Sequence, residues 1–199
     1  LPQEQYAFAI KRFDRHSTDQ TTERIHIEDF AQIFGAYPHQ KYSTTNYEQI
    51  GQIIYQYSGN KILDIQQFAS RILINILLAN GDAHLKNWSM IYPDTRIPRF
   101  SPAYDILMTS VYIENERHFA LNLAKNKDWY LAEMKHFQQW AEKVGVPWRV
   151  IEKQLHEVMT KARTLWPKAL ADLPMATAHK EKLKMHWQQL HPDFRILIS

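Results

Sequence analysis

The sequence predicts an α+β fold, mainly helical with one small β-ribbon. Apolar residues recur at helical spacing through most of the chain, and two short strand-like runs meet across Pro93-Asp94. With 199 residues, 45% of them hydrophobic and 13% aromatic, the chain can bury one good core, so one folded domain is expected rather than disorder.

Taken in order, Tyr6, Phe8 and Ile10 alternate with smaller residues as a half-buried strand does. The polar stretch from Arg15 to Thr22 follows. Residues 1–14 read as a strand and linker, and 15–199 as the helical body. Glu28 to Phe34 suggests a short helix stopped by Gly35. Tyr47, Ile50, Ile54 and Tyr57 recur at helical spacing up to Ser58-Gly59. From Asp64, which reads as an N-cap, Ile65, Phe68, Ile72, Ile76 and Ala79 line one stripe of a central buried helix. Trp88 to Tyr92 and Ile97 to Phe100 then form the ribbon. Leu107 to Asn122 reads either as an activation-segment-like loop or as a substrate platform. Three helices close the chain: Leu131 to Val144, capped by Gly145; Pro147 to Leu165, with Pro167 past its end; and Ala176 to Leu190, before Pro192. Phe137, Trp140, Trp148 and Trp166 read as core, and Lys180, Lys182 and Lys184 as a solvated helix face.

Between the central helix and the ribbon stands Gly81-Asp82-Ala83-His84-Leu85-Lys86-Asn87, and beyond the ribbon Ser101-Pro102-Ala103-Tyr104-Asp105. Taken singly, the first is an ordinary helix stop and the second an ordinary turn. Together, an Asp, an Asn five residues on and an Asp after a hairpin follow the order in which a protein-kinase catalytic lobe supplies its base and two metal ligands. Mg²⁺ prefers oxygen donors, so the side chains of Asn87 and Asp105 could hold it against nucleotide phosphates while Asp82 orients an attacking hydroxyl. Lys86 could neutralise phosphate oxygens.

Asn80 to Asn87 with Pro102-Ala103-Tyr104-Asp105 resembles the catalytic and metal-binding signature of the HipA-type toxin kinases. Lys11-Arg12-Phe13-Asp14-Arg15 resembles the segment that links that family's two lobes, and Ile27 to Gln32 its helix after the linker. The resemblance covers residues 6 to 110 well and the tail by pattern. It implies a kinase-like C-terminal lobe with Asp82 as base, Asn87 and Asp105 as Mg²⁺ ligands, and His84, Lys86 and Tyr104 beside bound ATP. The backbone of Lys11, Arg12 and Phe13 would meet the adenine. It further implies a Ser/Thr protein kinase, the toxin of a toxin–antitoxin pair, with an aminoacyl-tRNA synthetase as candidate target. An antitoxin would be its partner, and DNA would be reached through that antitoxin.

No G-x-G-x-x-G or G-x-x-x-x-G-K loop stands among the five glycines, so the phosphate-covering lobe is expected in a preceding segment or a separate chain, and this piece alone should bind ATP weakly. That expectation keeps open a non-catalytic scaffold holding an antitoxin–operator complex. The base and metal ligands also leave open a kinase of lipids or small molecules, because they do not identify the acceptor. Ten histidines without H-E-x-x-H and without any cysteine argue against a zinc site. The lack of cysteine suits a reducing cytoplasm and leaves secretion open. The longest apolar run, Ile72 to Ala79, is too short to cross a membrane, and a net charge of +3 does not by itself imply nucleic acid.

Overall fold

A computed structural model describes residues 9–17, 21–42 and 45–197. The expected strand around Tyr6, Phe8 and Ile10 falls largely outside them; Ile10 itself is exposed and in no strand. Two short antiparallel strands, β1 (Arg15–Ser17) and β2 (Thr22–Arg24), lie at the two ends of the polar stretch. β3 (His26–Asp29) then replaces the first turn of the expected helix, leaving α1 only Phe30–Ile33. The reason is local. Asp29 accepts from Gln32 N at 2.8 Å and Gln32 Oε1 accepts from Asp29 N at 3.0 Å, a capping box that fixes the helix start at Phe30.

Asn46 and Asn60 cap the helices α2 (Tyr47–Tyr57) and α3 (Lys61–Leu77). Asp64 is therefore not the cap that its position suggested. It lies one turn inside α3 with only 1% of its surface exposed, where it accepts from Ser58 Oγ, from Phe100 N and twice from Arg99. These bonds lash α3 to the ribbon formed by β4 (Ser89–Tyr92) and β5 (Arg99–Phe100), which pairs with β3 into a three-stranded antiparallel sheet in the order β3-β4-β5.

The region from Leu107 to Asn122 is less irregular than expected. Its second half becomes β6 (His118–Leu123), paired with β7 (Asn126–Asp128). Helices α4 (Met134–Val144), α5 (Trp148–Asp172) and α6 (Thr177–Gln189) follow. Gly145 closes α4 in the left-handed region, at φ 83°. α5 runs through Pro167 instead of stopping before it.

The core gathers around Phe68 on α3, whose ring lies 5.0–6.1 Å from those of Tyr47, Trp88, Phe100 and Trp140. Phe137 and Trp140 are fully buried, as expected, while Trp148 and Trp166 are half-buried against the same core. The Lys180, Lys182 and Lys184 row is not a free solvated face. Lys182 donates to Ser110 O, Lys180 to Ala171 O at 2.7 Å, and Lys184 pairs with Glu181 at 2.8 Å. Among the described residues no helix is long and apolar enough to cross a membrane.

Candidate active site

α3 delivers the acidic turn to the protein surface. Its C-terminus is terminated by Ala79, a non-glycine residue at φ 52°, and Asn80 N donates back to Asn75 O at 2.9 Å. Asn80 and Gly81 had looked like the left-handed stop; Gly81 is instead required for space. A Cβ there would stand 2.2 Å from Glu116 Oε1 and 2.9 Å from His118 O. The floor of the turn is fixed by Trp88, whose indole N–H donates to Ala83 O at 3.0 Å.

From this turn Asp82 projects with its side chain 44% exposed. Its carboxylate Oδ1 accepts from the hydroxyl of Tyr42, while its backbone N–H donates to Asn80 Oδ1 at 3.1 Å. His84 Nε2 stands 3.9 Å from the same Oδ1. Burial holds the imidazole pKa below its usual value against the opposing pull of Asp82, so this approach joins a neutral ring to a carboxylate and is not an ion pair. Because His84 Nδ1 accepts from Lys86 N at 3.3 Å, the ring proton sits on Nε2, on the Asp82 side. His84 thus braces the turn; among the charges around it the carboxylate of Asp82 acts most strongly, the ammonium of Lys41 opposes it, and Asp105 adds least.

Asn87 closes the same turn, with Oδ1 accepting from His84 N at 3.1 Å. Its Nδ2 donates to Asp105 Oδ2 across 18 residues of chain. Asp105 adopts φ 55°, a left-handed conformation that aspartate tolerates better than most residues. Asp105 Oδ1 has no hydrogen bond among the described residues, and the Asn87 amide oxygen keeps a second lone pair. One amide oxygen and one carboxylate fit a hard cation such as Mg²⁺, which takes few protein ligands and completes its shell with phosphate oxygens and water. Among the described residues no group of three or more His, Cys, Asp or Glu forms a cage for another metal.

Tyr104 connects this corner to a neighbouring cavity. Its hydroxyl donates to Lys86 O at 2.9 Å, meets Ser89 Oγ at 2.5 Å, and is pushed up to about pKa 12 chiefly by burial. Its ring lies 5.8 Å from that of Phe13. Lys11, Arg12, Phe13, Lys86 and Tyr104 all line one cavity of about 440 Å³, bounded on its other side by Ile27 and Gln32. Arg12 is committed there to Asp14, through bonds of 2.8 and 2.6 Å.

The structure therefore brings Asp82, His84 and Asn87 together on one turn and joins Asp105 to them. Tyr104, Lys86 and residues 11–13 gather round the adjoining cavity. Four residues at this site carried no sequence signal. Tyr42 reaches Asp82 from 40 residues upstream. Thr109 Oγ1 accepts from Gly81 N at 2.8 Å and donates to Glu116 Oε2 at 2.6 Å. Burial, then the charge of Asp82, raises the Glu116 pKa. Arg71, whose pKa falls to about 10 through burial and which remains a cation at neutral pH, lines a small cleft with Asn87 and Asp105. Only the cleft's charge pattern could have suggested Arg71, and that pattern appears only after folding.

Residues 1–166 match the model of the HipA-like C-terminal domain. The candidate kinase Y4dM of Sinorhizobium fredii is 39% identical over 180 residues, 90% of this chain and 42% of that protein. A candidate kinase of Haemophilus influenzae is 31% identical over 147 residues, 71% of this chain and 43% of that one. The chain thus spans less than half the length of these curated relatives. The backbone superposes on HipA of Shewanella oneidensis, solved in complex with HipB and operator DNA, with a TM-score of 0.74 at 19% identity; the match covers 90% of this chain and 47% of that one. The helical body with its small antiparallel sheets is accordingly a kinase-like fold, and the chain belongs to the HipA-like C-terminal domain family.

Proposed function

We propose that this chain is the catalytic lobe of a Ser/Thr protein kinase that transfers the γ-phosphoryl group of ATP to a protein hydroxyl. The observation that carries the reading is the Asn87–Asp105 hydrogen bond, which holds two oxygen-donor side chains together on the turn that bears Asp82. Asp82 accepts the proton of the acceptor hydroxyl as its oxygen attacks the γ-phosphorus and the bond to the β-phosphate oxygen breaks. Asn87 and Asp105 would hold Mg²⁺, which would supply charge neutralisation for the phosphates. Lys86 adds positive charge at the cavity mouth, Tyr104 orients the Lys86 backbone, and the main chain of Lys11 through Phe13 receives the adenine in the cavity they line. Because the transition state is loose, positioning and charge suffice, and no covalent intermediate is needed.

In the Shewanella neighbour, HipA assembles with HipB and operator DNA. The same kind of partner is proposed here: a cytoplasmic toxin bound by an antitoxin, with DNA reached through the antitoxin. On this reading the described residues from Ala9 to Asp14 would lead toward a phosphate-covering lobe in the same or a separate chain. The test is Mg²⁺-dependent transfer from labelled ATP to protein acceptors by the full-length protein. Transfer that disappears in Asp82→Ala, with the fold retained by circular dichroism, supports the reading; an Asp82→Ala protein working at the full rate overturns it.

A further inference from the structure

A catalytic carboxylate on an exposed turn needs something to stop it rotating, because transfer depends on where the acceptor's proton is received. The Asp82 backbone is fixed by Asn80, but its carboxylate is held by a residue from a different part of the chain. Tyr42 lies in the connection between α1 and α2 and donates its hydroxyl to Asp82 Oδ1. Asp82 Oδ2 has no hydrogen bond among the described residues.

Several contacts hold Tyr42 where it is. Leu85 N, two residues before Asn87, donates to Lys41 O at 3.3 Å, tying the connection to the catalytic turn itself. The Tyr42 ring meets the His84 ring edge-on at 5.2 Å, and the Lys41 ammonium lies 4.7 Å from the Tyr42 ring centroid. Burial, followed by the bond to Asp82, pushes the Tyr42 hydroxyl up to about pKa 12. It therefore remains a donor throughout the neutral range. Tyr42 also lines an open cleft with Gly81 and Glu116, whose lining shares no residue with the cavity of Phe13 and Tyr104.

We propose that Tyr42 is a positioning residue for phosphoryl transfer: its hydroxyl occupies Asp82 Oδ1 and fixes the carboxylate so that Oδ2 faces the acceptor hydroxyl entering from that open cleft. The inference rests on reading Asp82 as the base. It makes Lys41 and Tyr42 a wall of the acceptor site, which no motif in the sequence marks.

The experiment is steady-state transfer by the full-length protein and its Tyr42→Phe and Asp82→Ala variants, with melting temperatures measured in parallel. Phe keeps the ring against His84 and removes only the donor. Loss of one hydrogen bond to a charged group should lower kcat about ten- to a hundredfold. KM for ATP and for the acceptor, and the melting temperature, should stay close to their original values. An unchanged kcat in Tyr42→Phe overturns the proposal. So does a raised kcat, which would place the tyrosine hydroxyl in the acceptor's own seat. A changed KM at constant kcat, or a collapse of melting temperature, would make Tyr42 a binding or structural residue and overturns it too. If Asp82→Ala is dead while Tyr42→Phe is unaffected, only this inference falls. If the unsubstituted protein transfers nothing, the kinase reading falls first.

Discussion

Asp105 shows how much a single residue is asked to do at this site. It holds a left-handed backbone at φ 55°, accepts from Asn87, and offers its other oxygen outward. An L-residue in that conformation costs roughly 1 kcal/mol, less for Asp and Asn, whose side chains bond locally. Asp105→Asn should therefore leave stability within about 0.5 kcal/mol while removing the charge proposed to meet Mg²⁺. Its KM for Mg²⁺-ATP should rise at least about tenfold, the effect of one lost charge-assisted contact, as a titration of rate against Mg²⁺-ATP would show. Gly81→Ala tests the opposite kind of demand. A Cβ 2.2 Å from Glu116 Oε1 can displace that side chain, but at 2.9 Å from His118 O it also meets backbone. Overpacking of this sort costs about 1–3 kcal/mol, and chemical denaturation should find a loss in that range. The sequence made Asp82, Asn87 and Asp105 legible because two lie on one short turn and the third follows a hairpin. Tyr42, Thr109 and Glu116 were not legible. Their bonds span loops of 28 to 40 residues or join residues within an irregular stretch, and neither helical nor strand periodicity encodes such meetings.

At the scale of elements, the N-terminal turn of α3 decides how the ribbon sits. Asp64 is an acid inside the first turn of the helix, where the sequence reading places the cap, and sequence rules do not say where its charge is spent. It spends it on β5: Arg99 Nε and Nη2 both donate at 2.9 Å and Phe100 N at 2.8 Å, which together with Ser58 keep the carboxyl pKa below its usual value despite burial. Asp64→Ala would leave Phe100 N without its acceptor in a buried place and Arg99 without its counter-charge. Breaking a buried pair from one side costs about 3–5 kcal/mol, and the part-exposed Arg99 puts this case near 3. Urea unfolding of the variant should report that loss, and because β4 and β5 carry the chain from Asn87 to Asp105, kcat should fall with it. The cap itself belongs to Asn60, four residues earlier, since Asn and Asp are nearly equivalent as caps and pattern alone does not choose between them. α5 shows the same limit at its other end. Pro167 marks a stop by rule, yet the helix continues to Asp172, and the half-buried Trp166 and buried Leu170 pack their side chains on the core across the proline.

The whole molecule is closed by contacts between α6 and the end of α3, the helix that presents the Asp82 turn. Trp187 Nε1 donates to Leu77 O at 2.8 Å and His186 Nε2 meets Ile76 O at 2.7 Å, each across 110 residues. The contact with Ile76 O requires a proton on Nε2 of His186, and in the neutral ring Nδ1 then accepts from the Tyr130 hydroxyl at 3.2 Å. Burial pulls its pKa from 6.5 down to about 4, the carbonyl of Ile76 opposing. In the unfolded chain the ring takes up a proton near pH 6.5, whereas the folded protein refuses it until about pH 4. Stability from this group is therefore complete above pH 6.5 and drains away as the pH falls toward 4, by about 3 kcal/mol over the whole window. Asp14, held at about 2 by Arg12, adds its own loss only below its ordinary value of 3.8, and so outside the window. Glu116, raised by burial, titrates in the opposite sense, whereas His84 and His136, both lowered by burial, titrate in the same one. The comparison that isolates His186 is thus between two proteins at two pH values. His186→Gln, which keeps a donor for Ile76 O, should be less stable than the original at pH 7, yet lose less on passing to pH 5 in urea titrations. If both proteins lost the same amount, the proton refused by the folded chain would not be on His186, and the joint between α6 and the catalytic helix would be insensitive to acid.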